Sequence, residues 1–302
     1  SHMTHISLRY RTYLLKNLPS EGIDILASLC HQYWESPECD FESWNIQKLS
    51  TLYKGKGDPT DPNSWRGICL KETMAKVVSS AIADRLLSQL KTIGANTQFG
   101  HIGCQEAIHS LRTVLSTRRH HGLETYVIFV DLIKAFDSVD HSTLYTILAR
   151  YGVPDPLIQL IRKMYTGARV RIEVGSEKCD VEYGAGVQQG DNMSPVLFLF
   201  VMQAAIETLD TKLTDTIELR YHKPNKNPAA QYGKFIGQDT KTMGTKVHIN
   251  NFLYMDDGAF AFANRETTDN AAQIICDHFQ HFGLTVHTGS YEKKHPQKRK
   301  LY

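Results

Sequence analysis

"NNFLYMDDGAFAF", residues 250–262, sets two adjacent aspartates inside an otherwise apolar, aromatic-rich run. Its flanks, 252–255 and 259–262, read as two short buried strands, because apolar runs of this length bounded by a turn signal favour strand over helix. Asp256, Asp257 and Gly258 then form the turn between them. An ordinary hairpin would use the same residues, since Asp and Gly are common turn formers. Two carboxylates held at a hairpin tip by buried flanks could equally bind a hard divalent cation, which takes oxygen ligands. A third carboxylate elsewhere decides between the two.

"VIFVDLIKAFDSVDH", residues 127–141, offers that third group. The run 125–133 is the best central strand in the chain, and Asp131 ends its apolar part, where a charge is expensive to bury unless it is paired or metal-bound. An aspartate capping the following turn is the plainer alternative. If this strand lies beside the hairpin, Asp131, Asp256 and Asp257 form a three-carboxylate set. Such a set suits two Mg²⁺ ions about 3.5 to 4 Å apart, the arrangement that serves phosphoryl transfer.

The rest of the composition bounds the answer. A chain of 302 residues, 41% hydrophobic and 22% charged, is an ordinary globular sequence able to bury a sizeable core. A formal net charge of +2 leaves any polyanion contact to local basic patches. Six cysteines lie far apart without a C-x-x-C pair, which fits free thiols in a reducing, intracellular compartment (cytoplasm or nucleus) and predicts neither disulfides nor zinc. The most apolar stretch, "PVLFLFVMQAAI", is too short to span a membrane and reads as a buried helix. The opening "SHM", residues 1–3, reads as an expression-tag remnant.

Helical spacing predicts helices at 21–34, 72–92, 103–119, 141–151, 155–165, 268–282 and from Ser194–Pro195 to about 213. Strands are expected at 168–174, 178–184 and 284–287. Residues 221–246, rich in Pro, Gly, Asn and Lys, read as an inserted loop or hairpin.

Taken together, the motifs resemble those of reverse transcriptases, especially the enzymes of non-LTR retroelements and group II introns, over nearly the whole chain and in order. "WRGICLKETMAKVVSSAIADRL" resembles the fingers block, and "QFGHIGCQEAIHSLR" the block after it. "VDLIKAFDSVDH" resembles the D-x-x-K-A-F-D strand, "GVQQGDNMSPVLFLF" the Q-G-x-x-x-S-P turn and helix, "LYMDDGAF" the Y-x-D-D hairpin, and "FGLTVHTGSYEKK" the lysine-bearing motif that follows. Gly67 and Cys69 stand where the family often has Pro and Ser.

The resemblance implies an α+β fold of right-hand polymerase fingers and palm: an antiparallel palm sheet packed on helices, with the thumb absent. It divides the chain into mainly helical fingers at 4–124 and a palm at 125–302, the palm including fingers-contributed helices at 141–165. It implies an RNA-directed DNA polymerase that adds dNTPs to a DNA primer on an RNA template, with two Mg²⁺ ions and Mn²⁺ as a possible substitute. Asp131, Asp256, Asp257 and the Leu132 carbonyl would be the metal ligands. Phe136 would be the steric gate against a ribose hydroxyl; plain core packing is its alternative. Arg66, Lys54 and Lys56 would grip the triphosphate, Gln189 and Gly190 would contact template and nascent pair, and Lys293 and Lys294 would lie in the last motif. The patches 162–171 and 116–122 are candidates to follow nucleic-acid phosphates. A homodimer is compatible with this reading, and no membrane contact is expected. Two rivals remain: an RNA-dependent RNA polymerase, and a catalytically weak or inactive polymerase fold used as an RNA-binding scaffold.

Overall fold

The computed structural model describes Tyr13 and residues 15–36, 42–94, 97–213, 215–221 and 245–288. Its organising element is a three-stranded antiparallel sheet in the order β3 (Tyr126–Val130), β10 (Asp257–Phe262), β9 (Asn251–Tyr254). Both faces are covered, which explains why these strands read as continuous apolar runs and do not alternate. Val130, Leu253, Phe260 and Phe262 face the main core with Phe198, Ile275 and Phe279, from the helices α7 (Ser194–Asp210) and α8 (Arg265–His281). Phe252, Ala259 and Ala261 face the opposite way, against Ala107 and Val114 of α4 (Cys104–His120).

α7 is hydrophobic almost all round because it is buried almost all round, from Val196 to Leu209, with Pro195 in its first turn, where a missing N–H costs nothing. α5 (His141–Arg150) is capped by the Asp140 carboxylate, which accepts from the Thr143 N–H at 2.7 Å. It precedes α6 (Asp155–Tyr165), and the two contribute Leu144, Leu148 and Ile161 to the main core. The helices α1 (Ser20–Glu35), α2 (Glu42–Asn45) and α3 (Thr73–Ile93) complete the helical part before α4.

Three features differ from the sequence-based expectation. The strand expected at 125–133 breaks at Asp131. β3 stops at Val130, and β4 (Leu132–Ile133) pairs instead with β11 (Thr285–Val286) in a second small sheet. The fingers span 4–124 holds a β-hairpin as well as helices: β1 (Ile46–Tyr53) pairs with β2 (Trp65–Leu70). The strands β5 (Arg169–Val174) and β6 (Glu177–Glu182), expected within the palm span 125–302, extend this hairpin through a parallel β1–β5 pairing into a separate sheet, β2-β1-β5-β6. Sequence spacing located β5 and β6 as a pair, which they are, but not their join to β1, because that pairing depends on residues more than 100 positions apart.

β7 (Ile217–Tyr221) and β8 (Thr245–Ile249) pair antiparallel and flank the insertion expected at 221–246, of which 222–244 lie outside the described residues. Lys293 and Lys294 also lie outside them. The described cysteines, Cys30, Cys69, Cys104, Cys179 and Cys276, are free thiols, as expected. Among the described residues, no helix is long and apolar enough to cross a membrane.

Candidate active site

The break at Asp131 is what builds the site. Gly258 pairs with Val130, so the next position along the antiparallel ladder sets Asp257 beside Asp131, just where β3 leaves the sheet. The Asp131 carbonyl accepts from the His287 N–H at 2.8 Å, which fixes the backbone between the two sheets while the side chain stays exposed. The hairpin tip is tighter than expected. Asp257 already pairs with Tyr254, leaving Met255 and Asp256 as the two turn residues, with Met255 at φ 54°. A non-glycine residue in that region is uncommon and strained, and such strain clusters at functional sites. Gly258, expected in the turn, instead sits within β10, where a Cβ would lie 3.2 Å from Leu253 and 3.3 Å from Phe260. Its role is close packing.

Asp257 senses the other two carboxylates. Asp257 titrates above the usual carboxylate range, first through loss of solvation and then through the negative charges of Asp256 and Asp131. None of the three makes a hydrogen bond or ion pair among the described residues. An uncompensated group of oxygen donors is the chemistry a hard divalent cation requires. Among the described residues, however, no three acidic, His or Cys side chains converge tightly enough to form a closed metal shell. The three lie at one end of the sheet, where β3 stops and the β9–β10 hairpin turns. A cleft of about 340 Å³ opens beside Asp131 and Asp257, walled by Phe129, Tyr254 and Ile108.

Phe136 follows on the short 3₁₀ turn Ala135–Ser138, entered through Lys134 at φ 48°. Its ring stacks on Phe198, with centroids 4.7 Å apart and planes at 18°, and is half-buried. One face therefore packs on the core, and part of the ring remains exposed.

Gln189 and Gly190 lie in the turn before α7, and that turn docks on β2. The Cys69 N–H donates to the Gln189 carbonyl at 2.7 Å. Gly190 has φ 104°, and a Cβ there would lie 2.7 Å from the Cys69 carbonyl oxygen. Only glycine fits such an approach. Gly190→Ala is therefore expected to destabilise the fold by about 1–3 kcal/mol, read as a lower urea midpoint at unchanged slope. A wild-type midpoint would show that the turn is not pressed against β2.

Arg66 lies on β2 opposite Leu52, exposed and without a hydrogen bond or ion pair among the described residues. Lys54 differs: its ammonium donates to the Asn63 carbonyl at 2.8 Å, so it braces the β1–β2 loop. Lys56 is exposed in that loop.

The two basic patches are largely committed elsewhere. Arg118 is buried and donates to Thr125 Oγ1 and the Glu124 carbonyl, both at 2.7 Å, tying α4 to β3. Arg162 lies over the Tyr145 ring, Lys163 donates to the Tyr33 and Ser36 carbonyls, and Arg171 forms a two-pronged pair with Asp180. Two larger clefts, of about 660 and 690 Å³, lie by Arg162 and Arg119; neither includes one of the three carboxylates.

Sequence reasoning missed Lys71, Ser79 and Asp191. Lys71 Nζ meets Asp191 Oδ2 at 2.5 Å with both side chains almost wholly buried, and Ser79 Oγ donates to Asp191 Oδ1. The available signal was a charge at the end of each of two motifs, after "WRGICL" and after "QQG".

The fold and this set of carboxylates define a polymerase palm with its fingers. Residues 53–293 match the family described as reverse transcriptase (RNA-dependent DNA polymerase), and the chain belongs to that family. It is 28% identical over 155 residues to the Pol polyprotein of the type-2 retrotransposable element R2DM of Drosophila melanogaster, covering 50% of this chain and 15% of that protein. An R2 element polyprotein of Popillia japonica is also 28% identical, over 56% of this chain and 24% of its own length. This chain thus spans under a quarter of either relative. Among solved structures, apo telomerase of Candida tropicalis, truncated from its C-terminal domain, is similar in fold, with a TM-score of 0.55 at 12% identity over 83% of this chain and 49% of that one. Another solved structure of that telomerase, in complex with a fragment of telomeric RNA, has a TM-score of 0.56 at 12% identity, over 80% of this chain and 40% of that one. Members of the family generally use divalent metal ions.

Proposed function

We propose that this chain performs RNA-directed DNA synthesis, with the primer 3′-hydroxyl attacking the α-phosphate of a dNTP and pyrophosphate leaving. The observation that carries the reading is the placement of Asp131 beside the Asp256–Asp257 hairpin by the Gly258–Val130 register. Asp131, Asp256, Asp257 and the Leu132 carbonyl would hold two Mg²⁺ ions, or Mn²⁺ in their place, which when bound supply Lewis-acid stabilisation of the developing phosphate charge. The chain's own residues supply position and selection. Phe136, anchored on Phe198, would meet the sugar 2′ position. Gln189 and Gly190 would contact the template and nascent pair. Lys54 and Lys56 would border the triphosphate, and Lys293 and Lys294 would belong to the last motif of the site. The fingers would comprise 4–124, the 141–165 helices and the β5–β6 pair, with the remainder forming the palm.

Arg66 is best suited to the triphosphate, because its planar fork is exposed on the docked strand β2 and unpaired among the described residues. Arg66→Ala is expected to lower kcat/KM for dNTP by roughly 1.5–3 kcal/mol of lost charge-assisted contact, with primer–template affinity little changed. Reduced duplex affinity with a shallower salt dependence and normal dNTP kinetics would make Arg66 a backbone-phosphate contact.

Primer extension on poly(rA)/oligo(dT) with Mg²⁺ and either dTTP or UTP tests the whole reading. Extension with dTTP supports it. Preference for UTP supports an RNA polymerase, and binding without extension supports a scaffold. Phe136 as a steric gate would favour dTTP.

A further inference from the structure

We propose that Lys71, Ser79 and Asp191 form a buried clamp that positions the loop 184–192 and thereby sets the sugar selectivity and dNTP affinity of the nucleotide pocket. The inference rests on the polymerase reading above.

The loop is a bridge between two parts of that pocket. At one end it grips the turn that carries Phe136. The Val187 N–H donates to the Phe136 carbonyl at 2.7 Å, the Gly186 N–H donates to the Val139 carbonyl at 2.8 Å, and the His141 ring meets the Gly186 carbonyl at 2.8 Å. Gly186, at φ 87°, approaches so closely that a Cβ would lie 2.8 Å from the Asp137 Cα. At the other end the loop grips β2, through the bond from Cys69 to Gln189. Asp191 closes the bridge. One carboxylate oxygen takes Lys71, just past the end of β2 and five residues from Arg66, and the other takes Ser79 on α3. Asn192 adds a bond from its amide to Ser80 Oγ at 2.5 Å.

Stability alone does not account for this pair. Desolvating two charges costs about what their attraction returns, so an apolar pair of similar volume generally serves a core as well or better. What an apolar pair lacks is direction. The ion pair and the serine hydroxyl fix where Asp191 sits relative to both β2 and α3, and so fix the span between the Phe136 turn and the strand of Arg66. Lys71, Ser79 and Asp191 are positioning residues: in this reading none touches the nucleotide.

The apolar exchange supplies the test, because it separates direction from stability. The pair Lys71→Met with Asp191→Leu keeps the interior filled, and Lys71→Arg keeps the charge. Each is compared with the parent by thermal melting, by amide hydrogen exchange over 184–192, and by dNTP and NTP kinetics on the same primer–template. The double variant is expected to melt near the parent temperature and to exchange amides in the loop about tenfold faster or more. Its dNTP kcat/KM should fall roughly 10- to 100-fold, the scale of a small misplacement of reacting groups. Its NTP/dNTP ratio should rise, duplex affinity should hold, and Lys71→Arg should retain most of the selectivity. A double variant with parental loop exchange and selectivity overturns the clamp, leaving the triad as core filling. If the double variant does not fold, Ser79→Ala decides, because it removes the hydroxyl that directs Asp191 and leaves the ion pair in place: faster loop exchange and altered selectivity at a parental melt support the clamp, and parental values for both overturn it. A parent that never extends a primer removes the polymerase reading instead, while the exchange measurement still judges the mechanical claim.

Discussion

Asp131→Asn and Asp256→Asn are each expected to reduce nucleotide addition by on the order of 10³-fold or more, since on the proposed reading each would remove a ligand charge from a site whose metals would supply several kcal/mol of transition-state stabilisation. The fold should survive. Neither carboxylate makes a hydrogen bond or ion pair among the described residues, and asparagine has nearly the same volume. Removing one of three mutually repelling charges should leave the melting temperature unchanged or slightly raised, opposite to the loss seen when a structural carboxylate is removed. The measurement is single-nucleotide primer extension in Mg²⁺ alongside a thermal melt. Near-parental extension by either folded variant would show that these carboxylates do not hold the catalytic ions.

Phe136→Ala is expected to raise the NTP/dNTP ratio of kcat/KM by roughly 10- to 200-fold, the range available to a shape-based pocket. The stacking on Phe198 complicates the change in a useful way. Truncation also removes a core contact, so some stability is lost together with selectivity. Phe136→Leu, which refills part of that space, separates the two effects. A folded variant with an unchanged ratio would assign Phe136 to packing alone. The dTTP-to-UTP comparison in the same assay keeps the RNA-polymerase alternative in view.

Much of this architecture is legible in linear patterns because the relevant forces are local. Helical spacing puts Met74, Val77, Val78, Ala81, Ile82 and Leu86 on one face; Val78, Ile82 and Leu86 are buried, Met74 and Val77 half-buried, and Ala81 at its margin is exposed. The apolar flanks of the Asp256–Asp257 pair announce a hairpin, and its ladder to β3 is the one the family resemblance implies. The turn itself was misread for a physical reason. Asp-Gly is a strong turn signal, yet here Gly258 serves inter-strand packing, and the strained position falls on Met255. The basic patches illustrate the opposite limit. A cluster of Arg and Lys is equally consistent with phosphate contact and with internal pairing, and only coordinates show Arg118, Lys163 and Arg171 already engaged.

Sequence alone determined that there are three carboxylates bordering apolar strands, a phenylalanine five residues after the first, and a Q-G turn opening a buried helix. These are consequences of residue type and spacing along a few turns or strands, where the physics is short-ranged. Tertiary structure alone decided that β3 ends at Asp131 by changing sheets, that the β5–β6 pair joins β1, and that Asp191 meets Lys71 and Ser79 inside the protein. Those facts depend on groups 112 to 154 positions apart brought together by the burial of the whole core. No local preference encodes them, because a lysine at the end of a strand is equally content in water until the rest of the chain closes over it.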